Sequence, residues 1–342
     1  MQDKVTLAMG NGGQENSELI SKIFYKVFAN EVLERSEDAA VVELKIKSEK
    51  LKADGGCKMA MTTDSFTVNP IFFRGGDIGK LSICGTCNDL AMMGAKPKFL
   101  TCSVIIEEGF AISDLKRIVD SMQKELEVNG ALIVSGDTKV VPKGAVDKIF
   151  INTTGVGEII YDGISAHNLE DGMSVLVSRD IGSHGATIFT EREGMEVESN
   201  LETDCESLYP QIEALVDAGV RIVASRDATR GGVAAVLNEW VRASGVCIEI
   251  DEDKVPISDE VSGVCELLGF DALNLANEGT FVLCVPKEYE QKALEVLKSF
   301  HKTANIIGLV TTQYIGKVVL NSAWGTKRFL ELPTGELLPR IC

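Results

Sequence analysis

Apolar and polar positions along this chain repeat in two ways. Between residues 15 and 33, apolar side chains return every three or four positions, which predicts an amphipathic helix packed on a core. A second helical repeat predicts a helix over residues 113–129 that ends at Gly130. Short apolar runs predict strands over residues 99–107, 131–135 and 148–158. Strands that alternate with helices are typical of an α/β fold.

The alternation begins again after a group of turn residues at positions 161–171. Beyond it, the pattern predicts helices over residues 208–217 and 232–243. It predicts strands over residues 174–178, 221–224, 247–251 and 280–285. A length of 342 residues also favours two domains, each with its own core. We therefore predict a first domain over residues 1–160, a second over residues 161–331 and a tail over residues 332–342.

A repeated pattern places aspartates beside short apolar runs, next to small or hydroxyl residues. The aspartates concerned are Asp38, Asp64, Asp89, Asp137 and Asp227. Asp38 precedes a predicted strand and Asp89 lies on a predicted helix, whereas the other three follow apolar runs. Strand ends in α/β proteins gather ligand groups, and converging carboxylates repel one another unless a hard cation such as Mg²⁺ lies among them. Any one of these aspartates alone is also typical of a turn or a helix cap.

Two loops are candidate anion sites. Residues 226–232 join a strand to a helix and contain two arginines followed by a glycine pair, so backbone N–H groups and guanidinium groups could meet a phosphate. Residues 10–13 form a glycine-rich loop before the first helix, which is equally typical of a plain turn. This loop matches neither the dinucleotide fingerprint nor the P-loop pattern.

The chain ends on a thiol, Cys342. Its own α-carboxylate raises the thiol pKa, so a reactive thiolate would need a nearby cation. A frayed end is one interpretation, since termini are commonly mobile. The tail, however, alternates apolar residues with prolines, and ten extended residues reach roughly 33 Å. That reach exceeds the radius of gyration of roughly 20 Å for a compact chain of this length, so the tail could carry Cys342 into a cleft.

Composition excludes several classes of partner. A net charge of −17 argues against nucleic acid and anionic membranes. Without a signal-peptide pattern or a long apolar run, the sequence predicts a cytoplasmic protein. The nine cysteines are scattered and fit buried hydrophobic positions better than a disulfide framework. Cys84 and Cys87 form a Cys-x-x-Cys without a second pair, so we expect both to be structural rather than metal-binding or redox-active.

Five segments together resemble the HypE family of hydrogenase maturation factors. They are Arg-Asp-Ala-Thr-Arg-Gly-Gly at 226–232, Gly-Asp-Thr-Lys at 136–139, Asn88-Asp89, Asn-Glu-Gly at 277–279 and the ending Pro-Arg-Ile-Cys at 339–342. The first four also occur in related ATP-using synthetases, such as aminoimidazole ribonucleotide synthetase and selenophosphate synthetase. The ending is particular to the HypE family, and the likeness runs from residue 7 to residue 342.

The resemblance implies an α/β (α+β) fold of two domains, with the N-terminal domain forming a β-barrel across a homodimer and a C-terminal α/β sandwich. It implies ATP and Mg²⁺ as cofactors. It also implies a carbamoyl group that HypF delivers, that Cys342 carries as a thiocarbamate, and that ATP-dependent dehydration converts to a thiocyanate. The cyano group would then pass to iron on the HypC and HypD proteins, as the source of cyanide ligands in [NiFe]-hydrogenase.

The resemblance also implies roles for individual residues. The metal and phosphate positions would be Asp38, Asp64, Asp89, Asp137 and Asp227. Nucleotide contacts would come from Gly10, Gly12, Gly13, Asn88, Gly136, Asp137, Thr138 and Arg230. Lys139 and Glu278 would lie near the terminal cysteine. The sequence departs from the family pattern at Met9, Ser183 and Cys87, where we would expect histidine, aspartate and no thiol.

The implied chemistry needs charge neutralisation and a base. The thiocarbamate oxygen would attack the γ-phosphate of ATP, and phosphate would leave as the remaining N–H proton is removed. Lys139 could stabilise the developing oxyanion, and Glu278 is our candidate proton acceptor.

Two rival functions are another ATP-dependent synthetase, such as selenophosphate synthetase, and a nucleotide-gated docking protein. The first rival would need a reactive residue near the N-terminal glycine loop, whereas the earliest cysteine is Cys57. The second would form no adduct on Cys342.

Overall fold

The computed structural model describes residues 14–19, 21–22, 30, 33–35, 37–44, 57–195, 200–332, 338 and 340–342. Most of the helix predicted over residues 15–33 lies outside this set, and its described part contains a helix α1 at Gln14–Leu19 and a 3₁₀ turn at Leu33–Arg35. No helix in the described part of the chain combines the length and the apolar character that crossing a bilayer requires.

The first half contains a five-stranded sheet with helices on one side. The described strands of this half, of which all but β3 and β4 belong to that sheet, are β1 (Ala40–Leu44), β2 (Cys57–Phe66), β3 (Phe72–Phe73), β4 (Gly76–Asp77), β5 (Ala95–Glu107), β6 (Leu132–Val141) and β7 (Ile149–Ile159). Its further helices are α2 (Ile78–Met92) and α3 (Ile112–Asn129). The sheet has the order β1-β2-β7-β5-β6, and β3 pairs only with β4. All neighbours in the large sheet are antiparallel except β5 and β6.

The second half contains a seven-stranded sheet in the order β14-β13-β10-β12-β8-β11-β9. Its strands are β8 (Ser174–Val177), β9 (Ala224–Asp227), β10 (Cys247–Asp251), β11 (Phe281–Val285), β12 (Asn305–Thr311), β13 (Val318–Asn321) and β14 (Lys327–Leu330). Its helices are α4 (Ser183–Arg192), α5 (Tyr209–Asp217), α6 (Gly232–Ser244), α7 (Asp259–Leu268) and α8 (Glu290–Phe300). The mixture of strands and helices confirms the predicted α/β class.

Helix α2 is the central packing element of the molecule. Asp77 caps its start by accepting hydrogen bonds from the N–H groups of Gly79 (2.8 Å) and Lys80 (3.0 Å). A side chain at Gly79 would place its Cβ 2.3 Å from the carbonyl oxygen of Ile118, so glycine allows α2 and α3 to approach closely. Nearly all of α2 is buried, because it packs on the first sheet on one side and on α3, α5 and β9 on others. The helix therefore joins both halves in one core.

Strand β6 differs from the prediction in a way that matters for function. The apolar run predicted a strand that ends at residue 135, with Asp137 after its end, but the strand continues to Val141 and places Asp137 in its middle. The reason is pairing, because β6 runs parallel to β5 with Asp137 opposite Ser103. Strand β6 forms the edge of the sheet, and its apolar residues Leu132 and Val140 are exposed in the single chain.

Strand β9 also lies further along the chain than predicted. The apolar run 221–224 predicted the strand, yet the observed strand spans Ala224–Asp227. Its polar side chains have partners that the pattern does not reveal, since Ser225 Oγ donates to the carbonyl oxygen of Met92 (2.6 Å). The shift places Asp227 within the last position of the strand rather than in the loop beyond it.

Candidate active site around the terminal cysteine

The last residues of the chain are docked beside the segment that follows β2. The N–H group of Thr67 donates to the main-chain oxygen of Cys342 (2.9 Å), and the N–H group of Asn69 donates to that of Arg340 (3.2 Å). The Arg340 guanidinium donates in turn to the Thr67 carbonyl oxygen (2.7 Å) and to Asp147 Oδ2 (2.6 Å). The tail end is therefore held by backbone pairing and an ion pair, which excludes a frayed end.

Four of the five predicted metal-binding aspartates lie around one cavity of about 600 Å³. Asp38 precedes β1, Asp64 lies on β2, Asp89 lies on α2 and Asp227 ends β9. Arg226 and Arg230 line the same cavity. The fold thus brings together carboxylates that are up to 189 positions apart in the sequence (from 38 to 227), and places two guanidinium groups among them.

Burial and mutual repulsion destabilise the ionised carboxylates around this cavity. Burial, reinforced by the other carboxylates, raises the pKa of Asp89 and of Asp38 well above the ordinary range. Burial also raises the pKa of Asp64, and it raises the pKa of Asp227 to about 7. Carboxylates with raised pKa values are stabilised as anions only when a cation neutralises them. The cavity is therefore suited to a cationic ligand or to a ligand that brings a cation.

Hydrogen bonds satisfy only part of this cluster. Arg226 Nε lies 2.6 Å from Asp38 Oδ1, and its Nη1 lies 2.5 Å from Glu239 Oε2. Thr62 Oγ1 donates to Asp89 Oδ2 (2.7 Å). The second oxygen of Asp38 is buried and has no hydrogen-bond partner within the described part of the chain. That oxygen is a candidate metal ligand.

The donor set fits Mg²⁺ bound together with a nucleotide better than a closed metal site. No three acidic, histidine or cysteine side chains among the described residues converge closely enough to hold a metal by themselves. Mg²⁺ in proteins commonly binds one or two carboxylates and fills its remaining positions with water and phosphate oxygens. The unpaired Asp38 oxygen and the raised carboxylate pKa values agree with such an open site.

The terminal thiol is buried within electrostatic range of this cluster, and Arg230 and Glu278 are the charged groups that act on it most strongly. Burial raises the pKa of the Cys342 thiol to about 12, with Arg230 opposing this shift and Glu278 adding to it. The pKa of Arg230 is raised in turn, mainly by its interaction with Cys342. Arg230 is thus the cation that a reactive terminal cysteine requires, although it does not outweigh burial. The free thiol of the docked tail is protonated and weakly nucleophilic.

Glu278 is a buried carboxylate with one unsatisfied oxygen. The residue is 2% exposed, and Oε1 has no hydrogen-bond partner in the described structure. Burial, reinforced by Asp227 and Asp204, raises its pKa well above the ordinary range. A buried carboxylate with a raised pKa accepts a proton more readily than an exposed one, as a general base requires.

Hydrogen bonds to Asp204 hold the loop that carries Glu278. Asp204 accepts hydrogen bonds from the N–H groups of Glu278 (3.1 Å) and Gly279 (3.0 Å) and from Thr280 Oγ1 (2.8 Å). A side chain at Gly279 would place its Cβ 1.7 Å from the Asp204 carbonyl oxygen, so only glycine fits. Asp204 gave no signal in the sequence, and its position beneath the loop emerges only from the fold.

Asn88 is buried below the same loop. Its amide nitrogen donates to the carbonyl oxygens of Glu206 (3.0 Å) and Glu278 (3.3 Å), and its amide oxygen accepts from the Leu208 N–H group (2.8 Å). These bonds engage both ends of the amide. The predicted nucleotide contact of Asn88 stays a prediction, and the described contacts assign it a supporting role beneath Glu278.

The remaining predicted residues lie elsewhere. Gly136, Asp137, Thr138 and Lys139 are exposed on the edge strand β6. Lys139 Nζ pairs with Asp137 Oδ2 (2.7 Å), and the lysine side chain is 65% exposed. Within the described structure, no hydrogen bond or ion pair joins these four residues to Cys342 or to the other aspartates. Gly10, Gly12 and Gly13 lie outside the described residues.

The structure buries both thiols of the Cys-x-x-Cys pair, whose structural role stays a prediction. Cys84 and Cys87 are fully buried in α2, and burial raises the pKa of each thiol. All eight cysteines with described side chains are free thiols.

Comparison with known proteins identifies the family. Residues 36–159 match the family model of the AIR synthase related protein N-terminal domain, and residues 170–321 match that of the C-terminal domain. The chain is 46% identical over 346 residues to carbamoyl dehydratase HypE of Escherichia coli strain K12, an alignment that covers 99% of this chain and 100% of the relative. The chain belongs to the HypE family. The resemblance seen in the sequence is therefore confirmed, whereas a domain boundary at residue 160 stays a prediction.

Solved HypE structures share the fold. A HypE–HypF complex superposes with a TM-score of 0.84 at 45% identity, covering 92% of this chain and 99% of the HypE chain. A HypE structure in complex with ATP superposes with a TM-score of 0.80 at 41% identity, covering 99% and 100% of the two chains. The architecture described above is thus that of the HypE family.

Proposed function

We propose that this protein is an ATP-dependent carbamoyl dehydratase, which converts an S-thiocarbamate on Cys342 to a thiocyanate. The observation that carries the proposal is the docking of the chain end, which buries the Cys342 thiol where the charges of Arg230, Glu278, Asp64 and Asp227 act on it. Similarity to proteins named carbamoyl dehydratase HypE, and to a HypE structure in complex with ATP, supports it.

The residues around the sulfur divide the reaction between them. The thiocarbamate oxygen attacks the outer phosphorus of ATP, ADP leaves, and the nitrogen loses the first of its two protons to solvent, so that the carbon carries a phosphate ester and a C=N–H group. Glu278 accepts the remaining N–H proton as the C–O bond breaks, so that phosphate departs and a nitrile carbon stays on sulfur. Arg230 offsets negative charge next to the sulfur throughout. Mg²⁺, held through Asp38 and its neighbours, would neutralise the phosphate charge.

The same proposal accounts for the exposed strand β6. Unpaired edge strands with apolar residues such as Leu132 and Val140 are normally covered. We place a second copy of the chain on this edge, as the family's homodimer and shared β-barrel imply. The second copy would bring Asp137 and Lys139 against a nucleotide at the interface, which explains why the single chain leaves them exposed.

The proposed partners follow from the chemistry at Cys342. The carbamoyl group must be delivered, for which the HypE–HypF complex supports HypF as donor. The cyano group must be accepted, and we assign this step to the HypC–HypD complex with its iron. Dependence on ATP agrees with the predicted cytoplasmic location.

Single-turnover phosphate release tests the proposed reaction. Protein carbamoylated on Cys342 and freed of the donor is mixed with ATP and Mg²⁺, and phosphate and ADP are measured. We expect about one phosphate per thiocarbamate, and none from uncarbamoylated protein or after chelation of Mg²⁺. Phosphate release that is equal with and without the carbamoyl group would contradict the proposal.

The Cys342 pKa predicts a pH dependence of tail docking. The docked tail prefers the protonated thiol, because burial raises its pKa to about 12, whereas a free thiol titrates near roughly 8.5. Docking is therefore insensitive to pH below about 8.5 and weakens as pH rises from there toward 12. At pH 8, we expect iodoacetamide to modify Cys342 about a hundredfold more slowly in the native protein than in the denatured chain, with the difference shrinking at alkaline pH. Equal rates at pH 8 would mean that the thiol is not docked. A slow rate also implies that the tail must leave the cleft to receive its carbamoyl group.

A further inference from the structure

His184 is a buried histidine that the reaction described above does not use. It lies in the first turn of α4 and is 0% exposed. Its Nε2 lies 2.8 Å from the carbonyl oxygen of Ile341, the residue immediately before the terminal cysteine. Its Nδ1 lies 2.7 Å from Thr203 Oγ1. Both ring nitrogens are therefore engaged, one of them with the docked tail.

The hydrogen bonds around the ring determine its tautomer. The carbonyl oxygen of Ile341 can only accept, so His184 Nε2 carries the proton and donates to it. In the neutral ring Nδ1 then accepts from the Thr203 hydroxyl, whose oxygen also accepts from the Cys205 N–H group (3.0 Å). The hydrogen bond to the tail therefore comes from a ring whose other nitrogen is held by Thr203.

Hydrogen bonds join the start of α4, which carries His184, to the loop that carries the candidate base Glu278. Asn277 Oδ1 accepts from the N–H group of Gly182, the N-cap residue of α4, at 2.7 Å. The carbonyl oxygen of Ala276 accepts from the Gly185 N–H group at 2.9 Å. The segment that contains Thr203 continues directly into Asp204, whose carboxylate holds the Glu278 loop. His184 can therefore move relative to Glu278 only if these hydrogen bonds are broken.

We propose that His184 is a positioning residue, whose Nε2–H group holds the Ile341 carbonyl so that the Cys342 sulfur stays beside Glu278 and Arg230. The histidine binds the backbone of the tail and not one of its side chains. Arg192 makes a second contact of this kind, since its Nη2 donates to the carbonyl oxygen of Arg340 (2.8 Å). The consequence for dehydration rests on the proposed function. The docking contact itself does not.

Two substitutions separate the two ring nitrogens. In His184→Asn, the amide occupies the place of Nδ1 and can keep the Thr203 contact, but it cannot reach Ile341. In His184→Gln, the amide nitrogen occupies the place of Nε2 and can still donate to Ile341. Thr187→Val is the matched control, because Thr187 is buried on the same helix and its hydroxyl oxygen makes no hydrogen bond within the described structure.

Alkylation of Cys342 measures docking without ATP or a carbamoyl group. We expect His184→Asn to increase the rate of modification by iodoacetamide about tenfold, the effect of losing one buried hydrogen bond, with His184→Gln and Thr187→Val within about twofold of wild type. In single turnover of carbamoylated protein, His184→Asn should slow dehydration about tenfold at saturating ATP, with the ATP KM unchanged. Rescue by glutamine distinguishes positioning from a general structural defect.

The proposal is overturned if His184→Asn is alkylated at the wild-type rate, or if His184→Gln behaves like His184→Asn. If His184→Asn does not fold, Thr203→Val replaces it, and an alkylation rate unchanged from wild type there is equally contradictory. If wild-type protein shows the expected alkylation pattern but no dehydration, the proposed function fails while the role of His184 in docking stands.

Discussion

Cys342→Ser is expected to abolish formation of the thiocyanate. The sulfur is the atom that carries the carbamoyl group, and a serine hydroxyl is too weak a nucleophile at neutral pH to take its place without an adjacent base. The carbamoyl group transferred from the donor should fall to background, and cyanide-ligand production should fall with it. The docked tail should persist, because Thr67 and Asn69 bind main-chain oxygens that the substitution leaves unchanged.

The control for this experiment is Cys102→Ser. Cys102 is half-buried on β5, and its thiol is free. Its substitution should leave carbamoyl transfer and ATP binding at wild-type levels. Cyanide-ligand production that survives in Cys342→Ser would show that another group carries the carbamoyl unit.

Glu278→Gln is expected to slow dehydration by roughly 10²- to 10⁴-fold, the usual contribution of a general base. Glutamine has nearly the same shape, and the hydrogen bonds of this loop to Asp204 come from backbone N–H groups and from Thr280 Oγ1, so the loop should keep its structure. Burial disfavours the charged form of Glu278, as its raised pKa shows, so replacing the carboxylate with a neutral amide adds no desolvation cost. The measurement is the single-turnover rate at which carbamoylated protein loses water at saturating ATP.

Glu206→Gln is the matched control. The main-chain oxygens of Glu206 and Glu278 accept from the same Asn88 amide nitrogen, but the Glu206 carboxylate pairs with His301 (2.5 Å). It should dehydrate at close to the wild-type rate. If Glu278→Gln also keeps the wild-type rate while binding ATP normally, Glu278 is not the base, and Asp227 becomes the next carboxylate to test.

Local patterns predicted much of the architecture because the elements concerned bury one face. Helix α3 follows its apolar repeat and ends where predicted, since Gly130 adopts a left-handed conformation with φ of 62°. The strand predicted over residues 247–251 coincides with β10. The predicted ends of strands β6 and β9 were wrong. Each strand continues through polar residues, which are held by pairing with a neighbouring strand and not by burial of an apolar face.

The candidate site was predictable in its residue types but not in its arrangement. Asp64, Asp89 and Asp227 stand out through their position beside apolar runs, and the fold does gather them. Nothing local indicates that Asp204 supports Glu278 or that His184 reaches Ile341, since each contact joins residues more than seventy positions apart. Tail docking could not be predicted for the same reason, because Thr67 lies 275 positions before Cys342 in the sequence.

Mass spectrometry of the C-terminal peptide tests the central claim most directly. The chain is carbamoylated by its donor, separated from it, and analysed before and after addition of ATP and Mg²⁺. The account predicts that Cys342 first gains the mass of one carbamoyl group and then, only with ATP, loses the mass of one water while remaining modified. A Cys342 that never gains the carbamoyl group, or that keeps it unchanged when ATP is consumed, would contradict the account.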